Sequence, residues 1–169
     1  MIVNLKKYFA DEGFTDTVNH SFSVSGVKIN GMEAFSKPIS VEAVFKGKEE
    51  FVELALSLSF QIKVPCDRCL EVVEIDETVG FKHILVRELR EEEHEDDLYI
   101  CVENDTLNLE ELAYDDVVLN LPTRILCRED CKGLCSGCGI NLNRGSCECN
   151  TQAVDSRLEI LKQLLDNKE

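Results

Sequence analysis

Six cysteines lie between Cys127 and Cys149, and their spacing, C-x3-C-x3-C-x2-C-x8-C-x-C, is the strongest chemical signal in the sequence. The tightest part, Cys135-Ser-Gly-Cys138-Gly139, has the form of a zinc knuckle, in which a glycine lets the chain turn after the second thiolate. Soft thiolates that converge in a short loop favour a tetrahedral Zn²⁺ ion. The spacing therefore predicts a closed, non-catalytic zinc site with the ligands Cys135, Cys138, Cys147 and Cys149.

Two alternatives to this ligand set stay open. Cys131 could replace either cysteine of the Cys147-Glu-Cys149 pair, whose spacing is shorter than the usual C-x2-C. The thiols could also be buried and free, although their density in so short a segment argues against that interpretation.

A separate pair, Cys66-Asp-Arg-Cys69, lies far upstream between two predicted strands. It is compatible with three structures: half of a second zinc site, a surface dithiol, or a partly buried packing feature. A second four-cysteine site would combine Cys66 and Cys69 with Cys127 and Cys131, which the first site leaves unused. The remaining cysteine, Cys101, is predicted to be a core thiol at the end of a strand.

Alternating apolar residues predict the strands that must position these cysteines. Residues 54–64 alternate strictly and end at Pro65, and residues 73–81 resume the alternation after the C-x-x-C loop, which indicates an antiparallel hairpin. An earlier strand is predicted over 39–45, a weaker strand pair around Gly26, and one further strand over 98–102. We expect an α+β fold with an antiparallel β-sheet core that could be barrel-like.

Two helices complete the predicted fold. The first begins at Asn108, which can cap it while Glu111 occupies the capping-box position, and it ends before Pro122. The second is an amphipathic closing helix whose apolar stripe runs from Val154 to Leu165. This pattern predicts a sheet domain with one helix over residues 1–126. A cysteine-rich loop and the closing helix, residues 127–169, are predicted to pack on the same domain.

Composition excludes several functional classes. The chain of 169 residues is 44% apolar and carries a net charge of -15, so it can bury a core but offers no broad basic surface for phosphate backbones. The sequence predicts a reduced, cytoplasmic protein, because it shows neither a signal peptide nor a membrane span and has an odd number of cysteines. The acidic run over 87–97 is expected to be a solvated loop or a frayed helix, and a partner-binding acidic segment is the weaker alternative.

Catalytic motifs are not evident in the sequence. His20, His83 and His94 have no neighbours at ligand or catalytic spacing, and no phosphate loop or nucleophile elbow occurs. A thiol oxidoreductase that uses Cys66 and Cys69 is the main enzymatic alternative. It is disfavoured because the neighbouring acidic residues Asp67 and Glu71 should raise the thiol pKa values.

Two segments carry a resemblance to a known family. They are Pro65-Cys-Asp-Arg-Cys-Leu70 and the cysteine-rich stretch from Cys127 to Asn143, followed by Cys147-Glu-Cys149. Together they resemble the large ribosomal RNA subunit accumulation proteins, the YceD family, and the order of elements is similar over most of the chain. The resemblance implies a non-enzymatic role in the synthesis, processing or stability of large-subunit (23S) ribosomal RNA.

The charge of the chain indicates which kind of partner to expect. Basic and acidic residues balance within the cysteine-rich loop, and four thiolates on Zn²⁺ leave a site of about minus two charge. Direct RNA binding by a zinc-knuckle module is therefore the weaker alternative. Contact with a basic ribosomal protein or a pre-ribosomal large-subunit particle fits better, without a membrane or a small-molecule substrate.

Overall fold

A computed structural model describes residues 1–88 and 98–149, and the chain divides into two compact units. Unit 1 comprises Met1–Pro65 and Val72–Ile125, and unit 2 comprises Cys66–Glu71 and Leu126–Glu169. Most of the acidic run over 87–97, with His94, lies outside the described residues, as does the predicted closing helix. Within the described ranges, no helix is long and apolar enough to cross a membrane.

Unit 1 contains nine strands and two helices among the residues that the structure describes. In chain order they are β1 (Ile2–Asn4), α1 (Lys6–Ala10), β2 (Thr15–Phe22), β3 (Lys28–Ile29), β4 (Met32–Glu33), β5 (Ile39–Gly47), β6 (Phe51–Pro65), β7 (Val72–Val86), β8 (Tyr99–Cys101), β9 (Thr106–Asn108) and α2 (Leu109–Leu119), with one 3-10 turn at Glu103–Asp105.

The main sheet has five strands in the order β2-β5-β6-β7-β8. The first four pair antiparallel, and β8 pairs parallel to β7. In the part of the chain that the structure describes, β2 and β8 remain edge strands, so the sheet is open and the barrel-like form considered from the sequence is wrong. Two-stranded sheets, β1-β9 and β3-β4, complete the unit.

Alternation of side chains explains the core. In β6 every second residue from Val52 to Val64 faces one side of the sheet and is buried, while the residues between them face the other side. Helix α2 covers this face with Leu109, Ala113 and Val117. Each large apolar side chain that is fully buried contributes about 1.5–3 kcal/mol, so unit 1 has a conventional hydrophobic core.

The strands predicted over 39–45, 54–64 and 73–81 are confirmed, although the last of them extends to Val86, and the strand Thr15–Phe22 was not predicted. Three further details differ. The hairpin expected around Gly26 forms instead at Asn30-Gly31, where both residues have positive φ and Ile29 lies opposite Met32. Asn108 precedes α2 as predicted, but its side chain donates to Glu111 Oε2 (3.0 Å) instead of capping the backbone. Helix α1, which the sequence did not suggest, buries Tyr8 against Phe45 at 5.1 Å between ring centroids.

Cys101 differs from its sequence-based assignment, and the structure also shows the contacts of two histidines. Cys101 is exposed, which makes its assignment as a core thiol wrong: it lies at the end of the short edge strand β8. His83 is buried, and its Nε2 lies 2.8 Å from Asp116 Oδ2, while His20 Nε2 lies 2.6 Å from Glu110 Oε1. Sequence spacing does not indicate these pairs because the partners are 33 and 90 residues apart.

Candidate metal centres

Unit 2 contains two turns that have the same backbone conformation. In the hairpin knuckle, residues 66–71, the N–H of Cys66 donates to the carbonyl of Glu71 (2.8 Å), and the N–H of Leu70 donates to the carbonyl of Cys66 (3.0 Å). The residue after the second cysteine, Leu70, has a φ of 60°. This left-handed conformation is costly for leucine, because its Cβ crowds the following carbonyl oxygen.

The loop knuckle, residues 135–140, repeats this pattern. The N–H of Cys135 donates to the carbonyl of Ile140 (2.8 Å), and the N–H of Gly139 donates to the carbonyl of Cys135 (2.8 Å). Gly139 has a φ of 75°, at the position that Leu70 occupies in the hairpin knuckle. Each C-x-x-C pair is therefore held in a turn that brings its two sulfur atoms to the same side.

The hairpin cluster consists of four cysteines whose sulfur atoms all lie within 4.8 Å of one another: Cys66, Cys69, Cys127 and Cys131. The Cys66 and Cys131 Sγ atoms are 3.8 Å apart, and those of Cys69 and Cys127 are 3.6 Å apart. A tetrahedron with Zn–S bonds of about 2.3 Å has edges of about 3.8 Å. These separations are far too long for disulfide bonds, and all four cysteines are free.

The loop cluster consists of Cys135, Cys138, Cys147 and Cys149, whose sulfur atoms also lie within 4.8 Å of one another. The two clusters differ in burial. Three members of the hairpin cluster are buried, whereas in the loop cluster only Cys135 is buried, and Cys138 and Cys149 are exposed. Each cluster of four could bind a metal ion, and the role of the individual cysteines as ligands stays a prediction.

N–H groups point at sulfur atoms in both clusters. The backbone N–H of Cys127 donates to Cys66 Sγ (3.3 Å), and that of Gly137 donates to Cys135 Sγ (3.4 Å). Burial is the largest single influence on the pKa of the Cys66 thiol, and it raises the pKa. Several backbone N–H groups together have a larger effect, and they lower the pKa to about 6. The backbone N–H of Cys138 is the main cause that lowers the pKa of Cys135 to about 6. These N–H groups stabilise the anionic sulfur that a metal requires.

In each cluster a second thiol resists ionisation without a cation. Burial, followed by the neighbouring thiols, raises the pKa of Cys127 to about 12. Contact with the Cys138 thiol is the main cause that raises the pKa of Cys149 to about 12. Several thiolates cannot share so small a volume unless a positive charge lies among them, and a divalent cation at the centre would remove that repulsion.

Two residues contact the clusters although the sequence did not indicate them. Arg68 donates from Nη1 to the carbonyl of Cys131 (2.7 Å), and Asn143 donates from Nδ2 to Cys131 Sγ (3.3 Å). Both lie inside the cysteine motifs, yet no rule of spacing assigns a hydrogen-bonding role to a particular arginine or asparagine in a loop. Only the tertiary structure shows these two contacts.

The fold and the two clusters define an α+β protein that combines an open sheet with a cysteine-rich unit whose two clusters could bind metal. The chain belongs to the YceD family, described as "Large ribosomal RNA subunit accumulation protein YceD", which matches residues 54–165. This match confirms the resemblance drawn from the cysteine motifs. The family name implies a role in accumulation of the large ribosomal RNA subunit.

The chain is similar to curated proteins from Bacillus subtilis and Mycobacterium tuberculosis. It is 27% identical to "Uncharacterized protein YlbN" of Bacillus subtilis over 139 residues, which cover 82% of this chain and 80% of that protein. It is 35% identical to "Uncharacterized protein Rv2926c" of Mycobacterium tuberculosis over 79 residues, which cover 46% of this chain and 38% of that protein. No solved structure matches the chain.

The positive φ of Gly139 in the loop knuckle predicts that metal binding depends on a glycine at this position. Gly139→Ala should weaken metal binding by the loop cluster about fivefold or more, because alanine at positive φ costs about 1–2 kcal/mol. Gly145→Ala is the matched control, since Gly145 lies in the same loop and an added Cβ would meet nothing within 4 Å. Titration with Co²⁺, followed by the visible absorption of the thiolate complex, measures both affinities. Equal affinities for the two variants would contradict the assigned turn.

Proposed function

We propose that the chain holds two structural Zn²⁺ ions, one in the hairpin cluster and one in the loop cluster. Four soft thiolates are the donor set that zinc prefers, and four protein ligands leave no open position for a substrate. The sulfur separations of 3.6 and 3.8 Å in the hairpin cluster support this proposal. The ions would fix the conformation of unit 2 and would take no part in catalysis.

We further propose that the protein is a non-enzymatic, cytoplasmic factor that supports the synthesis, processing or stability of large-subunit ribosomal RNA. Membership of the YceD family is the observation that carries this proposal. The particular step in the maturation of the RNA is left open by the family name.

Charge favours a basic protein over RNA as the direct partner. The chain carries a net charge of -15 with neutral cysteines, and two four-thiolate zinc centres would add about four further negative charges. Such a surface repels a phosphate backbone and attracts basic protein surfaces. We therefore propose contact with a ribosomal protein or with the protein component of a pre-ribosomal large-subunit particle.

One observation favours the alternative of a thiol oxidoreductase, namely the lowered pKa of Cys66. A thiol-exchange enzyme also needs a sulfur that a substrate disulfide can reach. Cys66 is 0% exposed and Cys69 is 4% exposed. Both sulfurs are also surrounded by Cys127 and Cys131, which a redox dithiol does not require. The geometry therefore supports a metal centre better than a redox pair.

The first prediction of this proposal concerns metal content. Protein purified under reducing, chelator-free conditions should contain close to two Zn²⁺ ions per chain by elemental analysis. Cys69→Ser should lose one ion, because it removes a hairpin-cluster thiolate. Cys101→Ser should keep both, because Cys101 lies outside both clusters. A content near zero would contradict both zinc sites, and a content near one would contradict one of them.

The second prediction concerns ribosomal RNA. Deletion of the gene should lower mature large-subunit RNA relative to small-subunit RNA, measured by quantitative gel analysis and gradient profiles. Complementation with Cys101→Ser should restore the ratio. Complementation with Cys127→Ser should fail, because the hairpin cluster loses a ligand.

The Cys127→Ser variant also separates the two candidate functions. A redox enzyme that uses Cys66 and Cys69 does not need Cys127, so full rescue by this variant would favour the oxidoreductase. An unchanged subunit ratio after deletion would contradict the role in large-subunit RNA. Salt-dependent binding of the purified protein to RNA would contradict a purely protein-mediated contact.

A further inference from the structure

The side chain of Asn143 makes hydrogen bonds through both its amide oxygen and its amide nitrogen. Its Oδ1 accepts from the backbone N–H of Lys132 (2.8 Å) and from Nη2 of Arg128 (2.8 Å). Its Nδ2 lies 3.3 Å from Cys131 Sγ. Because a backbone N–H can only donate, the amide oxygen must face Lys132. The amide nitrogen must therefore face the sulfur, where its N–H stabilises negative charge.

The position of Asn143 in the chain makes this contact a link between the two clusters. Asn143 lies in segment 139–146, which is bounded on both sides by cysteines of the loop cluster, Cys138 and Cys147. The sulfur that it contacts belongs to the hairpin cluster. A residue whose placement depends on one cluster therefore donates a hydrogen bond to a sulfur of the other cluster.

Two neighbouring contacts join the same parts of unit 2. Arg144 forms an ion pair with Glu71, which lies two residues after Cys69. The N–H of Leu134, which directly precedes Cys135, donates to the carbonyl of Arg68 (3.0 Å). A short set of polar contacts therefore links the segments that carry the two clusters, and the Asn143 bond is the one of these contacts that reaches a sulfur atom.

We propose that Asn143 couples the two clusters, so that a metal ion in either one raises the affinity of the other for a second ion. This inference rests on the metal binding proposed above. An ion in the loop cluster fixes Cys138 and Cys147, reduces the freedom of segment 139–146, and holds the Asn143 amide against Cys131. Linkage requires the effect to be reciprocal: an ion in the hairpin cluster must favour the arrangement that the loop cluster needs.

The populations of metal-bound species test the coupling. Reduced, metal-free protein receives one equivalent of Zn²⁺, and native mass spectrometry counts the chains with no, one and two ions. The protein concentration is kept far above both dissociation constants, so that all of the Zn²⁺ is bound; two independent sites then leave at least half of the chains with one ion, whatever the ratio of their affinities. We expect the wild-type protein to show less than half in this form, and Asn143→Ala to show half or more. Asn19→Ala, an exposed position in unit 1, should behave as the wild type.

A second comparison measures the size of the effect. Cys138→Ser disables the loop cluster and should weaken Co²⁺ binding by the hairpin cluster about tenfold, as loss of an outer-shell hydrogen bond typically does. The same change in an Asn143→Ala background should cause little further loss, which completes a double-mutant cycle. The Cys138→Ser comparison needs no change at Asn143 and decides the coupling even if the alanine variant does not fold.

The coupling and the proposed zinc sites can be contradicted by different results of these experiments. Two ions bound with half or more of the chains singly loaded would overturn the coupling and leave the zinc sites standing. Cooperative loading that is unchanged in Asn143→Ala would overturn the role of Asn143. Failure of both clusters to bind Zn²⁺ would overturn the metal proposal itself.

Discussion

A polypeptide segment keeps one conformation only if some interaction offsets its loss of conformational entropy, and in unit 2 that interaction centres on sulfur. The apolar cluster of the unit consists of Cys66, Cys69 and Cys131, with Leu126, Cys127 and Leu134 packed against them. Ile140, one of the few large apolar residues in the described part of unit 2, is 44% exposed. The described part of unit 2 buries little hydrocarbon, so the free energy of metal binding would have to supply much of the folding free energy of that part.

Unit 1 has the opposite physical basis. Its sheet has a continuous buried face, on which alternating residues of β5 and β6 pack against α1 and α2. Burial of that face does not involve sulfur. The chain thus combines a conventional apolar core with a cysteine-rich unit, and loss of the proposed metal ions is expected to affect the second without unfolding the first.

The sequence could predict those features that depend on local pattern. Strict alternation in 54–64 indicated β6, and the C-x-x-C spacing indicated turns that bring two thiols together. The structure places eight cysteines in two groups of four, which spacing alone could suggest but not position. The Asn30-Gly31 hairpin had a recognised turn signal, but its flanking strands are only two residues long and gave no alternation.

Other features depend on contacts between distant residues and had no local signal. The apolar surroundings expected for Cys101 are missing because β8 is a short edge strand. His83 and Asp116 meet only after α2 packs on the sheet. Asn143 acquires its role because a loop that follows one knuckle passes the sulfur of Cys131. A single sequence records the residue types at these positions but not their proximity.

X-ray absorption at the zinc edge tests the central claim, that thiolates alone hold the ions which order unit 2. The account predicts an average of four sulfur ligands per zinc at about 2.3 Å, with no nitrogen or oxygen ligand, in protein loaded at both clusters. The spectrum of Cys101→Ser should be identical, since Cys101 lies outside both groups. A first shell that contains nitrogen or oxygen, or fewer than four sulfur atoms per zinc, would contradict the account.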